Sequence, residues 1–171
     1  MANKSKIVAF YGLFIALAMI LAYVEVLLPP LFPAVPGIKM GLPNIIIVFL
    51  LYRRSAKSAA VVSLIRILLV SMLFGNAMAL LYSLAGGILS ILIMILLRRL
   101  NFLSTVGVSV AGGVAHNVGQ ILMAMLLLKT AELGYYLAVL TLSGIIAGVL
   151  VGLCGFALIK KFPANLRFFN N

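Results

Sequence analysis

Residues 77–97 read AMALLYSLAGGILSILIMILL, an apolar run without a charged side chain that ends at Arg98 and Arg99. A helix needs about 20 apolar residues to cross about 30 Å of hydrocarbon. The run therefore predicts a transmembrane helix that is closed at one end by a basic pair. Gly75 and Asn76 precede it and predict a tight break from the apolar run before.

The composition of the whole chain extends this interpretation. Of its 171 residues, 65% are hydrophobic and 9% are charged, and the mean hydropathy is +1.32. Soluble domains are about 45–50% apolar and about 25% charged. We therefore expect an all-α integral membrane protein in which residues 1–171 form a single membrane domain. The net charge of +11 comes from basic residues between the apolar runs, which favours membrane orientation over nucleic-acid binding.

The apolar runs and the basic residues between them predict a topology. The spans are predicted at 7–28, 43–53, 57–75, 77–97, 105–128 and 134–159. One set of loops and termini contains most of the basic residues, namely Lys4, Lys6, Arg53, Arg54, Lys57, Arg98, Arg99, Lys160, Lys161 and Arg167. The opposite set contains Lys39 and Lys129. By the positive-inside rule, both termini of this multi-pass protein are expected in the cytoplasm, under the inner membrane of a bacterium.

The second span is too short to cross the membrane as a regular helix. From Pro43 to Arg53 a helix reaches about 16 Å, roughly half of the hydrocarbon thickness. Either the segment before Pro43 dips into the membrane, or the helix starts earlier and kinks at this proline. We favour a half-helix, with Asn44 in its first turn, whose free N–H groups face an outward cavity. Such an N-terminus favours negatively charged ligand groups.

Arg66 lies near the middle of the third span. An ionisable group within hydrocarbon costs about 2.5–3.5 kcal/mol on insertion scales and so suggests a function. The alternatives are contact with a ligand, or an internal pairing with Glu25 or with helix carbonyl groups.

The fifth span contains His116, Asn117 and Gln120, whose spacing places them on one helix face. An amide-rich face turned towards lipid would leave polar groups unsatisfied, so we expect it to point into the bundle. It could contact a ligand or form helix–helix hydrogen bonds. Ser83, on the fourth span, is expected to line the same interior.

Small residues predict where helices approach one another closely. The sixth span carries a glycine stripe that includes Gly144 and Gly148, and the first span carries Ala18 and Ala22, four residues apart. Small side chains let a neighbouring backbone come near. These residues could pack within the protomer or dock another membrane subunit.

Three motifs together resemble one family. They are KMGLPNI at 39–45, SLAGGILS at 83–90 and AGGVAHNVGQ at 111–120. The family is known both as heptaprenyl diphosphate synthase component I and as the Gx transporter family, and the resemblance covers roughly residues 9 to 160. Its six-helix plan is similar to that of the substrate-binding S components of energy-coupling factor transporters. This similarity implies a solute pocket with Lys39 in its lid, and docking of a coupling subunit by Ala18 and Ala22.

The acidic residues of the chain bear on whether it could be the catalytic subunit of a prenyl synthase. Magnesium, which holds the diphosphate in known prenyl synthases, requires oxygen ligands that are usually carboxylates. The chain contains no Asp, and its two glutamates, Glu25 and Glu132, are far apart in sequence. We therefore expect neither a catalytic subunit nor a bound metal or cofactor.

Two functions stay open beside a purely structural scaffold, in which Arg66 and His116 would be paired internally. The first is the substrate-binding component of a transporter for a small anionic ligand taken from outside, working with ATPase and transmembrane coupling subunits. The chain has no Gly-rich Lys-Ser/Thr phosphate loop of its own to use ATP. The alternative is a non-catalytic membrane subunit of isoprenoid or quinone metabolism, which handles a prenyl diphosphate or quinone beside a prenyl synthase catalytic subunit. In the first function, the ligand site would consist of Lys39, Asn44, Arg66, Ser83, His116, Asn117 and Gln120.

Overall fold

Helices account for every regular element in the part of the chain that the structure describes. The structure is a computed structural model and describes residues 4–28 and 40–162. The helices are α1 (Lys4–Leu27), α2 (Asn44–Arg53), α3 (Ala56–Phe74), α4 (Ala77–Leu100), α5 (Thr105–Leu128) and α6 (Leu137–Lys161). A short 3-10 helix, Glu132–Tyr136, leads into α6. The predicted all-α fold is thus confirmed.

The long helices have the length and composition of membrane spans. Among the described residues, five helices, with the 3-10 turn counted as part of α6, are long and apolar enough to cross a bilayer. Their outward surfaces consist of exposed leucine, isoleucine, valine and phenylalanine, side chains that only lipid solvates well. The molecule is a multi-pass membrane bundle, as its composition predicted.

Contacts between helix ends, together with the short turn between α2 and α3, bring several helix ends to the same side of the bundle. The hydroxyl groups of Tyr11 and Ser58 lie 3.2 Å apart and join the start of α1 to the start of α3. The guanidinium of Arg98 lies 5.2 Å from the centre of the Tyr52 ring and joins the ends of α4 and α2. The predicted basic loops therefore meet at one end of the bundle, which we call the basic end.

Helix α2 is buried on all sides. It has 10 residues, about 15 Å of helix, and contacts α1, α3 and α6. Ile47, Val48, Leu50 and Leu51 are at most 1% exposed although they point in different directions. A helix that is apolar all round is stable only inside a protein or a membrane, so this short element is placed at the core of the bundle.

Glycines bring α5 close to both of its neighbours. A Cβ atom added to Gly119 would lie 2.8 Å from the Ala85 carbonyl oxygen of α4, and one added to Gly148 would lie 2.5 Å from Val110 Cα of α5. Real Cβ atoms do not approach so closely, so only glycine permits these crossings. The predicted close approach of a backbone to the glycine stripe of α6 is confirmed, and the partner is α5 of the same protomer.

Candidate functional site

A polar hollow lies between α1, the start of α2, and α3 to α6. The volume of the hollow is about 110 Å³. Six of the seven predicted ligand-binding residues line it, namely Asn44, Arg66, Ser83, His116, Asn117 and Gln120. The seventh, Lys39, lies outside the described residues. Residues from four helices that are far apart in sequence thus meet around one cavity.

Arg66 brings a positive charge to the hollow. One of its terminal nitrogens, Nη2, donates to the Asn44 side-chain oxygen at 3.4 Å, a long and therefore weak hydrogen bond. Its Nε is buried and has no hydrogen-bond partner. The negative charge of Glu25 attracts the guanidinium electrostatically. Arg66 therefore lines the cavity and also interacts with Glu25, the internal partner that the sequence offered.

Glu25 is a residue that the predicted ligand-binding site omitted. It is near the end of α1, lines the hollow, and accepts a hydrogen bond from the backbone N–H of Gly41. The signal was present in the sequence, because an ionisable residue within an apolar run suggests a function. Its presence means that the hollow combines both signs of charge and is not purely electropositive.

The predicted free N-terminus of α2 is wrong. The amide of Asn44 donates to the Gly41 carbonyl at 2.8 Å, and the amide of Ile45 donates to the Leu42 carbonyl at 3.1 Å. A tight turn before the helix therefore already uses these donors. Gly41 has a φ of +73°, a conformation that glycine adopts without strain, which allows the turn.

The start of α2 also decides between the two predictions for the second span. The helix begins at Asn44 with Pro43 as its N-cap, and residues 40–41 are not helical. A helix that starts earlier and kinks at this proline is therefore ruled out. The segment 36–39 lies outside the described residues.

The polar face of α5 has two different roles. Asn117 donates through its amide nitrogen to the Leu140 carbonyl at 2.6 Å and to the Ser143 hydroxyl at 3.2 Å. It therefore links α5 to α6, which was the structural alternative for this residue. His116 and Gln120 lie instead against α4, where a Cβ at Gly86 would meet side-chain atoms of both within 3.1 Å.

Ala18 and Ala22 do not form a docking surface. Their side chains are 0% and 4% exposed. Ala18 belongs to the apolar core, and Ala22 lines the hollow. The burial counts against the predicted docking of a partner through these two residues, because their small size is used inside the protomer.

Comparison with known families agrees with this architecture. The family model described as heptaprenyl diphosphate synthase component I matches residues 14–158. The chain belongs to the heptaprenyl diphosphate synthase component I family. The match begins in α1 and ends in α6, so the family region includes every helix that lines the hollow. No curated protein and no solved structure matches the chain.

Membership of the heptaprenyl diphosphate synthase component I family confirms the resemblance that the three sequence motifs indicated. All three motifs fall at least partly among the described residues, and each contributes to the hollow. Asn44 belongs to the first, Ser83 to the second and His116 to the third. The features that identify the family in the sequence are therefore the ones that surround the cavity.

Proposed function

We propose that this chain is a membrane component that binds a small, singly charged anionic solute in the polar hollow. The observation that supports this most strongly is the meeting of six predicted residues from α2, α3, α4 and α5 around one cavity. Buried polar groups are normally satisfied by neighbours, and a cavity that concentrates so many of them is the usual form of a ligand site.

Arg66 supplies the main interaction with the anion. Its long bond to Asn44 and its unpartnered Nε leave it able to form shorter bonds. A carboxylate or phosphate group would form charge-assisted hydrogen bonds with the guanidinium, which are about twice as strong as neutral ones. Glu25 limits the charge that the site accepts, because each added negative charge on the ligand would be repelled by its carboxylate.

The location of the hollow supports entry from the end opposite the basic end. Glu25, near the end of α1, bonds to Gly41, before the start of α2, and both residues line the cavity. By the positive-inside rule, this end faces the exterior. The solute would thus be taken from outside, as in an S component, and transport would then require separate coupling and ATPase subunits.

The family name keeps a second function open. It describes a component of a prenyl diphosphate synthase, so this chain could be the non-catalytic membrane subunit beside a catalytic partner. The size of the hollow favours the first proposal, because about 110 Å³ suits a compact solute better than a heptaprenyl chain. Pockets that hold drug-sized ligands have volumes of roughly 300–1,000 Å³.

Ligand-induced thermal stabilisation of the purified protein tests the proposal. A panel of small carboxylates, phosphate monoesters and uncharged solutes is compared on the wild type, Arg66→Gln and Lys57→Gln. Lys57 is a matched control, because it is an exposed cation on the same helix away from the hollow. A charge-assisted bond contributes about 1.5–3 kcal/mol, so Arg66→Gln should bind an anionic hit about 10- to 100-fold more weakly. Equal affinity of all three proteins would refute the site.

Labelling of single cysteines in whole cells tests the orientation. In a Cys154→Ser background, Lys129→Cys should react with a membrane-impermeant maleimide, and Lys57→Cys should react only after the cells are opened. The reverse pattern would invert the proposed topology and place the mouth of the hollow in the cytoplasm.

A further inference from the structure

A second cavity lies at the basic end, with Ile95 in its lining next to Met94 in the lining of the hollow. It is formed by the last residues of α2 and α4 and the first residue of α3, and its volume is about 440 Å³. Leu51 and Ile95 contribute apolar walls, whereas Tyr52, Arg98 and Arg99 contribute polar ones. The cavity thus combines an apolar interior with a pair of guanidinium groups.

The charge around this cavity is not balanced within the protein. The two acidic residues of the chain are Glu25 and Glu132, and both lie at the opposite end, near the end of α1 and before α6. The basic end carries, among the described residues, Lys4, Lys6, Arg53, Arg54, Lys57, Arg98, Arg99, Lys160 and Lys161. This surface therefore has a positive potential that attracts anions from outside the protein.

Two basic residues of this end have structural contacts. Arg53 donates from Nη2 to the Ile159 carbonyl near the end of α6, where a cation satisfies carbonyl groups that the helix leaves open. The guanidinium of Arg54 lies 5.4 Å from the centre of the Phe10 ring. These side chains tie helices together and do not line the second cavity.

Arg98 and Arg99 are arranged differently. Arg98 lies over the Tyr52 ring at 5.2 Å, a stacking contact that uses the face of the guanidinium and leaves its in-plane N–H groups for an acceptor. Arg99 is exposed. Two neighbouring guanidinium groups with in-plane donors match the oxygen atoms of a phosphate group.

The surface of α4 indicates where the apolar part of such a ligand would lie. Leu92 and Leu96 are exposed and precede Arg99 by seven and three residues, so all three share one helix face. This face is apolar towards the middle of the membrane and basic at its edge. An acyl chain can lie along the leucines while its headgroup reaches the arginine. Basic pockets between transmembrane helices are known to hold anionic lipid headgroups.

We propose that the cavity between the ends of α2 and α4 binds the phosphate of an anionic phospholipid headgroup through Arg98 and Arg99. The inference does not depend on the function proposed for the hollow, since the two cavities are lined by different residues. The lipid would offset part of the positive charge of the arginine pair and hold the α2–α3 turn against the end of α4.

Lipid retention in native mass spectrometry tests the proposal on the purified, delipidated full-length chain. The wild type, titrated with phosphatidylglycerol or phosphatidylcholine, should retain the anionic lipid selectively. Arg98→Gln/Arg99→Gln should lose this selectivity by about 10-fold. Lys160→Gln/Lys161→Gln removes the same amount of charge from exposed positions at the same end. This variant should keep the preference for the anionic lipid. Arg99→Gln alone provides a milder variant if the double arginine variant does not fold.

Each outcome of the titration decides the question. Equal loss of selectivity in the arginine and lysine variants would show attraction by net charge only and would overturn the site. Inorganic phosphate is added in a separate arm. Inorganic phosphate could compete with the lipid and stabilise the wild type, but not the arginine variant, to the same extent as the lipid does. In that case the ligand is a free phosphate and the lipid assignment is wrong. Failure of phosphate to compete supports the lipid.

Discussion

Gly148 of α6 provides the strictest test of how the helices around the hollow pack. A methyl group at this position would lie 2.5 Å from Val110 Cα and 3.0 Å from the Ser109 carbonyl oxygen. Both are backbone atoms of α5, so neither can rotate away. Carbon atoms in favourable contact are about 3.5–4.0 Å apart, so Gly148→Ala should force the two helices about 1 Å apart locally.

The cost of this separation can be worked from the contacts that it weakens. A gap of about 0.5–1 Å removes a quarter to a half of the dispersion energy of each contact across it, and overpacking of a tight core typically costs about 1–3 kcal/mol. Gly148→Ala should therefore lower the free energy of unfolding by about 2–3 kcal/mol. Because Gly148 also lines the hollow, ligand binding should weaken at the same time.

Gly12 provides the matched control, since it is also a helical glycine but has no heavy atom within 4 Å of an added Cβ. Gly12→Ala should leave the stability unchanged or raise it by about 0.5–1 kcal/mol, the usual gain from replacing a helical glycine. Reversible unfolding in mixed micelles, followed by circular dichroism, gives both values. A neutral Gly148→Ala, or equal losses in both variants, would refute the close crossing of α5 and α6.

Three further substitutions probe the hollow and its surroundings. Asn117→Leu removes the hydrogen bond to the Leu140 carbonyl and should cost about 0.6–1.7 kcal/mol in the same unfolding assay; no loss would show that the bond is not formed. Glu25→Gln keeps an acceptor for the Gly41 amide but removes a charge that repels anions. Thermal-shift titration should therefore show tighter binding of anionic solutes, and weaker binding would contradict the proposed repulsion by Glu25. Lys129 adopts a left-handed conformation with φ of 52°, which glycine adopts without strain. Lys129→Gly should therefore stabilise α5 by about 1 kcal/mol in thermal unfolding, and a loss of stability would contradict this conformation.

The helices were predictable because the membrane imposes one dominant rule. Each long span had to be an apolar run of sufficient length, and the breaks carry local signals. Asn76, for example, caps α4 by accepting a hydrogen bond from the Ala79 amide at 2.8 Å. The bounds of α5 agree with the prediction at both residues, Thr105 and Leu128. Pro43 correctly marked the start of α2, because a proline has no N–H to lose at this position.

The site was less predictable because hydrogen-bond partners depend on the relative rotation of helices. The sequence placed Asn117 on the face of His116 but could not show that its amide reaches α6. The donors at the start of α2 looked free because the turn at Gly41 cannot be derived from residue spacing alone. Residue chemistry predicts Glu25 as a candidate partner for Arg66, but its bond to that turn depends on the tertiary structure.

The complete burial of α2 has a consequence for the synthesis of the protein. This helix never contacts lipid on a full face, and it rests on α6 through Val48, which contacts the Gly155 position, and through Arg53. The ribosome makes α6 more than 80 residues after α2. Until α6 is made, α2, a helix of 10 residues that is too short to span the bilayer, lacks one of the helices that bury it. Helix α6, which is synthesised well after α2, therefore completes the surroundings of α2.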